Sequence, residues 1–182
     1  MSPILGIIAS SISGSISSSS YESIATATGT GSSPTITFSS IPSTYSSLQI
    51  RVMYQGVGGS GLYLRLNSDS GSNYALHRIY GSGSTVTAQG FTAQTQIVSC
   101  SSSTTTANTM ATVILDLHDY ASTTKNKTVR GFAGFDDNGS GRAELNSGLW
   151  LNTSAVTSVS LISSGTAFTS NTTISLYGIK GS

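Results

Sequence analysis

The chain has 182 residues, only 8% of them are charged, and its formal net charge is +1. Serine and threonine together make up about a third of it, whereas charged residues alone account for about 25% of an ordinary soluble domain. So little positive charge provides neither a basic face for nucleic acid nor a polybasic cluster for membranes. The composition is typical of a β-protein that works outside a cell, and near-neutral charge favours assembly with itself or with a fixed partner.

Residues 1–20 are predicted to form an extended N-terminal arm. Residues 10–20 are nearly all serine, and serine-rich runs act as flexible linkers. An apolar tip on such an arm suits docking on a neighbouring protein, and a frayed first strand is the alternative. The residues of the apolar tip are Ile4, Leu5, Ile7 and Ile8.

Residues 21–182 show short alternating runs without a helical period, which predicts one β domain. In the clearest run, 46–55, Leu48, Ile50, Val52 and Tyr54 share one face. Each strand is expected to have a single apolar face, as two packed sheets require. The other predicted strands are 21–28, 34–39, 62–67, 74–80, 84–98, 111–118, 129–135, 143–151, 155–163 and 173–180.

Glycine-rich and Asx-rich segments separate these runs, at 56–61, 67–73 and 136–141. Asn138-Gly139 is a favoured pair for a tight hairpin turn. About ten short strands joined by such turns, without helices for parallel crossovers, predict an all-β antiparallel β-sandwich. Among sandwiches, a jelly roll is the preferred prediction.

The sequence contains no constellation that predicts a reaction. Asp116 and His118 share a strand face, but a metal site needs at least three converging ligands. The segment 136–144 is rich in oxygen ligands but lacks the alternate spacing of a calcium loop. The lone Cys100 cannot form an internal disulfide, and no charged neighbour activates it. We therefore expect a protein that is not an enzyme and has no metal or cofactor.

Surface recognition is expected at the loops. The aromatic residue nearest to a loop tip is Tyr74, and the polar tip at 136–141 contributes Asp136, Asp137 and Asn138. Trp150 is the only tryptophan, and its leucine neighbours favour a place in the core or an interface over sugar stacking. The candidate receptor or interface contacts are therefore Tyr74, Asp136, Asp137 and Asn138.

Several phrases of the sequence occur together in one known group of proteins. The chain resembles small β-sandwich virion proteins of tailed phages, common in cyanophages and other phages of aquatic bacteria. Members are described as head decoration, minor tail or tail-fibre proteins, and the resemblance spans nearly the whole chain without a catalytic motif. The phrases are MSPILGIIASS at 1–11, YESIA at 21–25, ITFSSIPSTY at 36–45, LRLNSD at 64–69, GSNY at 71–74, SGLW at 147–150 and ISLYGIK at 174–180.

The resemblance implies a homotrimeric structural protein on the outer surface of a virion. The first expectation is a capsid decoration, or cement, protein whose arm lies on the shell of the major capsid protein and stabilises the assembled head. The alternative is a tail-fibre or baseplate appendage, whose arm docks on a tail protein and whose loops bind a host-surface glycan.

Overall fold

A computed structural model describes residues 20–55, 60–102, 104, 106, 108–165 and 167–181. These residues contain no helix, and hence none that could cross a membrane. They form twelve strands: β1 (Tyr21–Thr28), β2 (Thr35–Phe38), β3 (Ser47–Tyr54), β4 (Leu62–Leu66), β5 (Tyr74–Ser82), β6 (Thr85–Gln94), β7 (Ile97–Cys100), β8 (Ala111–His118), β9 (Lys127–Asp136), β10 (Gly141–Trp150), β11 (Val159–Ser163) and β12 (Thr173–Ile179).

The strands form two antiparallel sheets. The large sheet has the order β1-β12-β3-β8-β9-β10-β5-β6, and the small sheet has the order β2-β11-β4-β7. The prediction of an all-β antiparallel sandwich is therefore confirmed. The jelly-roll connectivity stays a prediction, because the sheets hold eight and four strands instead of two equal sets. Of the predicted arm, 1–20, only Ser20 lies within the described residues.

The core lies between the two sheets and follows from the alternation of the strands. On β3, Leu48, Ile50 and Tyr54 are completely buried, as their shared parity predicts. Leu62, Leu64 and Leu66 of β4 contribute the facing layer from the small sheet. Strand β7 crosses closest to the large sheet, where Ile97 packs against Gly148; a Cβ at that glycine would come within 2.7 Å of the isoleucine side chain.

The prediction of one strand over 84–98 is wrong, because this segment forms two strands in different sheets. The chain pairs with β5 as far as Gln94 and then crosses to the small sheet at Ile97. Near the crossing the β5–β6 register shifts between Tyr74 and Leu76, and Ala93 has a positive φ of 54°. Neither glycine nor proline marks this crossing, so the sequence reads as one continuous strand.

Tyr74 is completely buried, and the prediction that it is a receptor contact is wrong. Its ring stacks on Trp150 at 6.3 Å between centroids. Its hydroxyl accepts a hydrogen bond from Leu66 N at 3.1 Å and lies 3.1 Å from Asp69 O, to which it donates. Burial raises the pKa of this hydroxyl to about 12. The loop that follows β4 is thus tied to the core by the residue that was expected to face a ligand.

Asp69 completes this attachment. The indole Nε1 of Trp150 donates to Asp69 Oδ2 at 2.7 Å, and Gly71 N donates to Asp69 Oδ1 at 2.8 Å. The Trp150 hydrogen bond is the main reason that the pKa of Asp69 lies below its ordinary value of 3.8. A carboxylate with a lowered folded-state pKa stabilises the fold above that ordinary value, and the contribution is lost as pH falls through the folded-state pKa.

We expect Asp69→Ala to reduce the free energy of unfolding at neutral pH by about 1–3 kcal/mol, because a buried indole donor loses its acceptor. Urea unfolding followed by Trp150 fluorescence measures this change. The loss should shrink below pH 3.8, as the wild-type carboxylate becomes protonated. Lys125→Ala is the control, because its ion pair with Asp119 lies on the surface and is worth at most about 1 kcal/mol. Equal losses in the two variants would contradict the assignment.

Candidate functional site

A row of apolar side chains crosses the outer face of the large sheet, the face turned away from the core. Cross-strand pairing places its members side by side on β8, β9, β10, β5 and β6. The first four side chains are 42%, 55%, 55% and 46% exposed. We call this set the apolar row: Ile114, Phe132, Leu145, Ile79 and Ala88.

The apolar row corrects the expectation of one apolar face per strand. Strand β8 buries Val113 and Leu115 in the core and presents Ile114 outward, and β10 likewise presents Leu145 between Glu144 and Asn146. The row was missed because each of its members lies on a different strand. The sequence does show large apolar residues at the outward, otherwise polar positions of several strands. Only the order of the strands in the sheet shows that these residues are neighbours.

Two rows of different chemistry flank the apolar row. The polar row, on one side, consists of Asp116, Arg130, Ser147, His77 and Gly90 in cross-strand register. The small row, on the other side, consists of Thr112, Gly134, Ala143, Gly81 and Val86. Two hollows, of about 790 Å³ towards the polar row and about 250 Å³ towards the small row, border the central part of the apolar row. Its large side chains therefore form a ridge between them.

The charged groups of the polar row lie close to side chains of neighbouring strands. Asp116 Oδ1 accepts a hydrogen bond from Gln49 Nε2 at 2.8 Å, and Arg130 Nη2 lies 3.3 Å from His118 Nε2. Asp116 and Arg130 are cross-strand neighbours, yet the ion pairs of the described residues do not include them. Within the described chain no three His, Cys, Asp or Glu side chains converge on a common metal position.

A second polar cluster lies on the inner face of the large sheet, around Glu144. The carboxylate is buried, and its Oε2 accepts hydrogen bonds from Ser101 N at 3.1 Å and Ser101 Oγ at 2.5 Å. Arg78 Nη1 lies 3.5 Å from Oε1, and Arg142 donates to Ser101 Oγ. Both guanidinium groups stack over Tyr80. The cluster fastens the segment after β7 to the large sheet, which is a structural use of a buried charge.

The hairpin between β9 and β10 carries the other predicted contacts. Asn138 and Gly139 have φ values of 61° and 91°, which is the favoured geometry of a tight hairpin turn. Asp136 Oδ1 accepts from Gly139 N at 3.0 Å, and the side chain of Asp137 is held by the hydroxyls of Thr104 and Thr109. Asp136 and Asn138 are thus exposed, and Asp137 is partly buried.

The remaining predicted positions are a loop, a thiol and the apolar tip. Residues 56–59 of the first glycine-rich loop lie outside the described residues, and so does the tip formed by Ile4, Leu5, Ile7 and Ile8. The Cys100 thiol is buried and donates to Ser102 O, and burial raises its pKa to about 11. A thiol in this state is a poor nucleophile at neutral pH. The outer face of the large sheet is therefore the best candidate for a functional surface.

We expect Leu145→Ser to reduce the free energy of unfolding of the isolated chain by less than about 1 kcal/mol, because the outward leucine gains only cross-strand contacts. Leu115→Ala, on the inner face of β8 in the same sheet, should cost about 2–5 kcal/mol through a lost core contact. Urea unfolding measures both losses, at a dilution at which copies of the chain do not associate. A loss for Leu145→Ser as large as that for Leu115→Ala would mean that the apolar row serves the fold itself.

Comparison with known proteins does not assign a family to the chain. No protein-family model matches it, and no curated protein matches it either. The likeness to tailed-phage virion proteins therefore stays a prediction that depends on the sequence phrases.

Proposed function

We propose that this chain is a non-enzymatic structural protein of a tailed-phage virion, bound to the outer surface of the head as a capsid decoration protein. In this role the sandwich is a compact body, and residues 1–20 are the arm that contacts the shell of the major capsid protein. The observation that carries the proposal is the way the root of the arm is fastened to the body.

The root of the arm is attached at an outer edge of the large sheet. Ser20 O accepts a hydrogen bond from Lys180 N at 3.0 Å, and the next residue begins β1, an edge strand. The Arg51 guanidinium lies over the Tyr21 ring at 5.5 Å, and Lys180 Nζ lies 2.7 Å from the Glu22 carboxylate. The hydrogen bond and the positive charge of Lys180 lower the pKa of Glu22.

A firm root at a sheet edge suits an arm that transmits load. The contacts of Ser20, Tyr21 and Glu22 spread over β12 and β3, so tension on the arm would be shared by three strands. The apolar tip of the arm would bury its side chains in the shell, each contributing roughly 1.5–3 kcal/mol before the cost of ordering the linker. Many copies on one particle would add these contributions over the lattice.

The composition of the body supports the same role. Hydroxyl groups pair across neighbouring strands, as in Thr26–Ser175 at 2.9 Å and Thr37–Ser160 at 2.8 Å. Such pairs stabilise sheets without adding charge, and a net charge of +1 permits dense packing on a surface without mutual repulsion.

We expect substitution of Ile4, Leu5, Ile7 and Ile8 by serine to abolish binding to capsids that lack the decoration protein, because the arm then has no apolar tip. Co-sedimentation with such capsids measures binding, and circular dichroism checks that the sandwich remains folded. The matched control replaces four arm serines, Ser10, Ser11, Ser13 and Ser15, by alanine and should still bind. Full binding by the isoleucine and leucine variant would overturn the role of the arm.

The exposed hairpin tip favours the alternative, a tail-fibre or baseplate appendage that binds a host-surface glycan. Asp136 and Asn138 present a carboxylate and an amide to solvent, and both groups can hydrogen-bond sugar hydroxyls. Quantitative mass spectrometry of purified virions separates the two functions. A copy number comparable to that of the major capsid protein supports decoration, whereas a far smaller number supports the appendage.

A further inference from the structure

We propose that the outer face of the large sheet binds the same face of a second copy of this chain, around a twofold axis that crosses the strands between the apolar row and the small row. The contact is separate from the arm and leaves the arm free for the shell. It joins two bodies face to face, with the strands of one copy antiparallel to those of the other. This pairing replaces the homotrimer that the resemblance implies, and the number of copies per particle in solution separates the two.

The first argument is the complementarity of size. An axis midway between the two rows places the apolar row of one copy over the small row of its partner. On β9, Phe132 then faces the Gly134 position, and on β10, Leu145 faces the Ala143 position. Two of the largest side chains of the apolar row thus pack against positions of the partner that have the smallest side chains. Such interdigitation gives close packing between sheets.

The strands towards the sheet edge obey the same rule. On β5, Ile79 belongs to the apolar row and Gly81 to the small row, so a large residue again faces a small one. On β6 the order of sizes is inverted, because Ala88 belongs to the apolar row and the 69%-exposed Val86 to the small row. The inverted order is still complementary under the same axis, since Val86 then faces the Ala88 position.

The second argument is the complementarity of charge. The outward residues of β9 are, in order, Thr128, Arg130, Phe132, Gly134 and Asp136. The axis that places Phe132 over the Gly134 position also places Arg130 over the Asp136 position. Ion pairs within the described chain include neither Arg130 nor Asp136. The strand is therefore its own complement in both size and charge, as a twofold contact between identical surfaces requires.

The third argument is the size of the face. Five strands spaced about 4.8 Å apart, with four outward positions per strand about 6.8 Å apart, cover roughly 650 Å² before side-chain relief. A standard interface buries about 800 Å² on each partner. Packed sheets lie about 10 Å apart and cross at about 30°, so the central strands β9 and β10 keep their register while the outer strands diverge.

The first test compares two leucines of nearly equal exposure. Leu145 is 55% exposed and lies in the apolar row, whereas Leu151 is 53% exposed and lies just beyond β10. Light scattering and sedimentation equilibrium should show wild-type particles of twice the 18.6 kDa chain mass. Leu145→Ser should raise the dissociation constant of the dimer at least tenfold, and Leu151→Ser should leave it unchanged. Equal behaviour of the two variants, or wild-type particles of one or three copies, would overturn the twofold contact.

The second test exchanges the charges of β9. Arg130→Glu alone sets two acidic groups against each other across the axis, and Asp136→Lys alone sets two basic groups against each other. Each is expected to weaken association at least tenfold. The double variant restores opposite charges and should return to within threefold of wild type. Asp136→Lys also removes the hydrogen bond to Gly139, but the double variant has the same loss. Recovery of the double variant would therefore show that the weakening is a charge effect, and association of Arg130→Glu with wild-type affinity would refute the charge pairing.

Discussion

The packing of a four-stranded sheet against the inner face of an eight-stranded one is the constraint on which the rest of this structure depends. The inner face of the large sheet receives side chains such as Leu48, Leu115 and Trp150, and the small sheet closes over them. The outer face has no second layer in the described chain. Its residues are therefore free of the requirements of the core, and large apolar groups there need a reason other than folding.

The low charge of the chain changes how its surface is stabilised. Only a few ion pairs occur among the described residues, and two of the three are surface pairs that contribute little. Hydroxyl pairs between strands, a buried cluster around Glu144 and the hydrogen bond between Trp150 and Asp69 serve instead. These bonds are local and short-range, so they hold edges and loops in place without creating a long-range field around the molecule.

The core could be predicted from the sequence because it depends on a period of two within single strands. Strands such as β3 and β8 alternate so regularly that Leu48, Ile50, Val113 and Leu115 were assignable without coordinates. The crossing between β6 and β7 could not be predicted, since no turn residue marks it. Tyr74 was misassigned because proximity to a loop in sequence does not say whether a ring points inward.

The candidate site was still less accessible, because it depends on strand order. Ile114, Phe132, Leu145 and Ile79 are far apart in sequence and become neighbours only through the order β8-β9-β10-β5. A single-sequence pattern contains no information on that order. The tip residues Asp136 and Asn138 were found because a hairpin turn has a local signature, whereas a surface assembled from four strands has none.

The opposite parities of β9 have an evolutionary consequence. Val129, Gly131 and Ala133 face the core, while Arg130, Phe132 and Gly134 face outward from the same ten-residue strand. Substitutions of the outward residues leave the inward residues in place, so the external surface can change while the interior is preserved. An insertion or deletion of one residue would exchange the two sets and expose both to the wrong environment. Related chains should consequently keep the length of this strand, and those that keep the twofold contact should change its facing outward residues together.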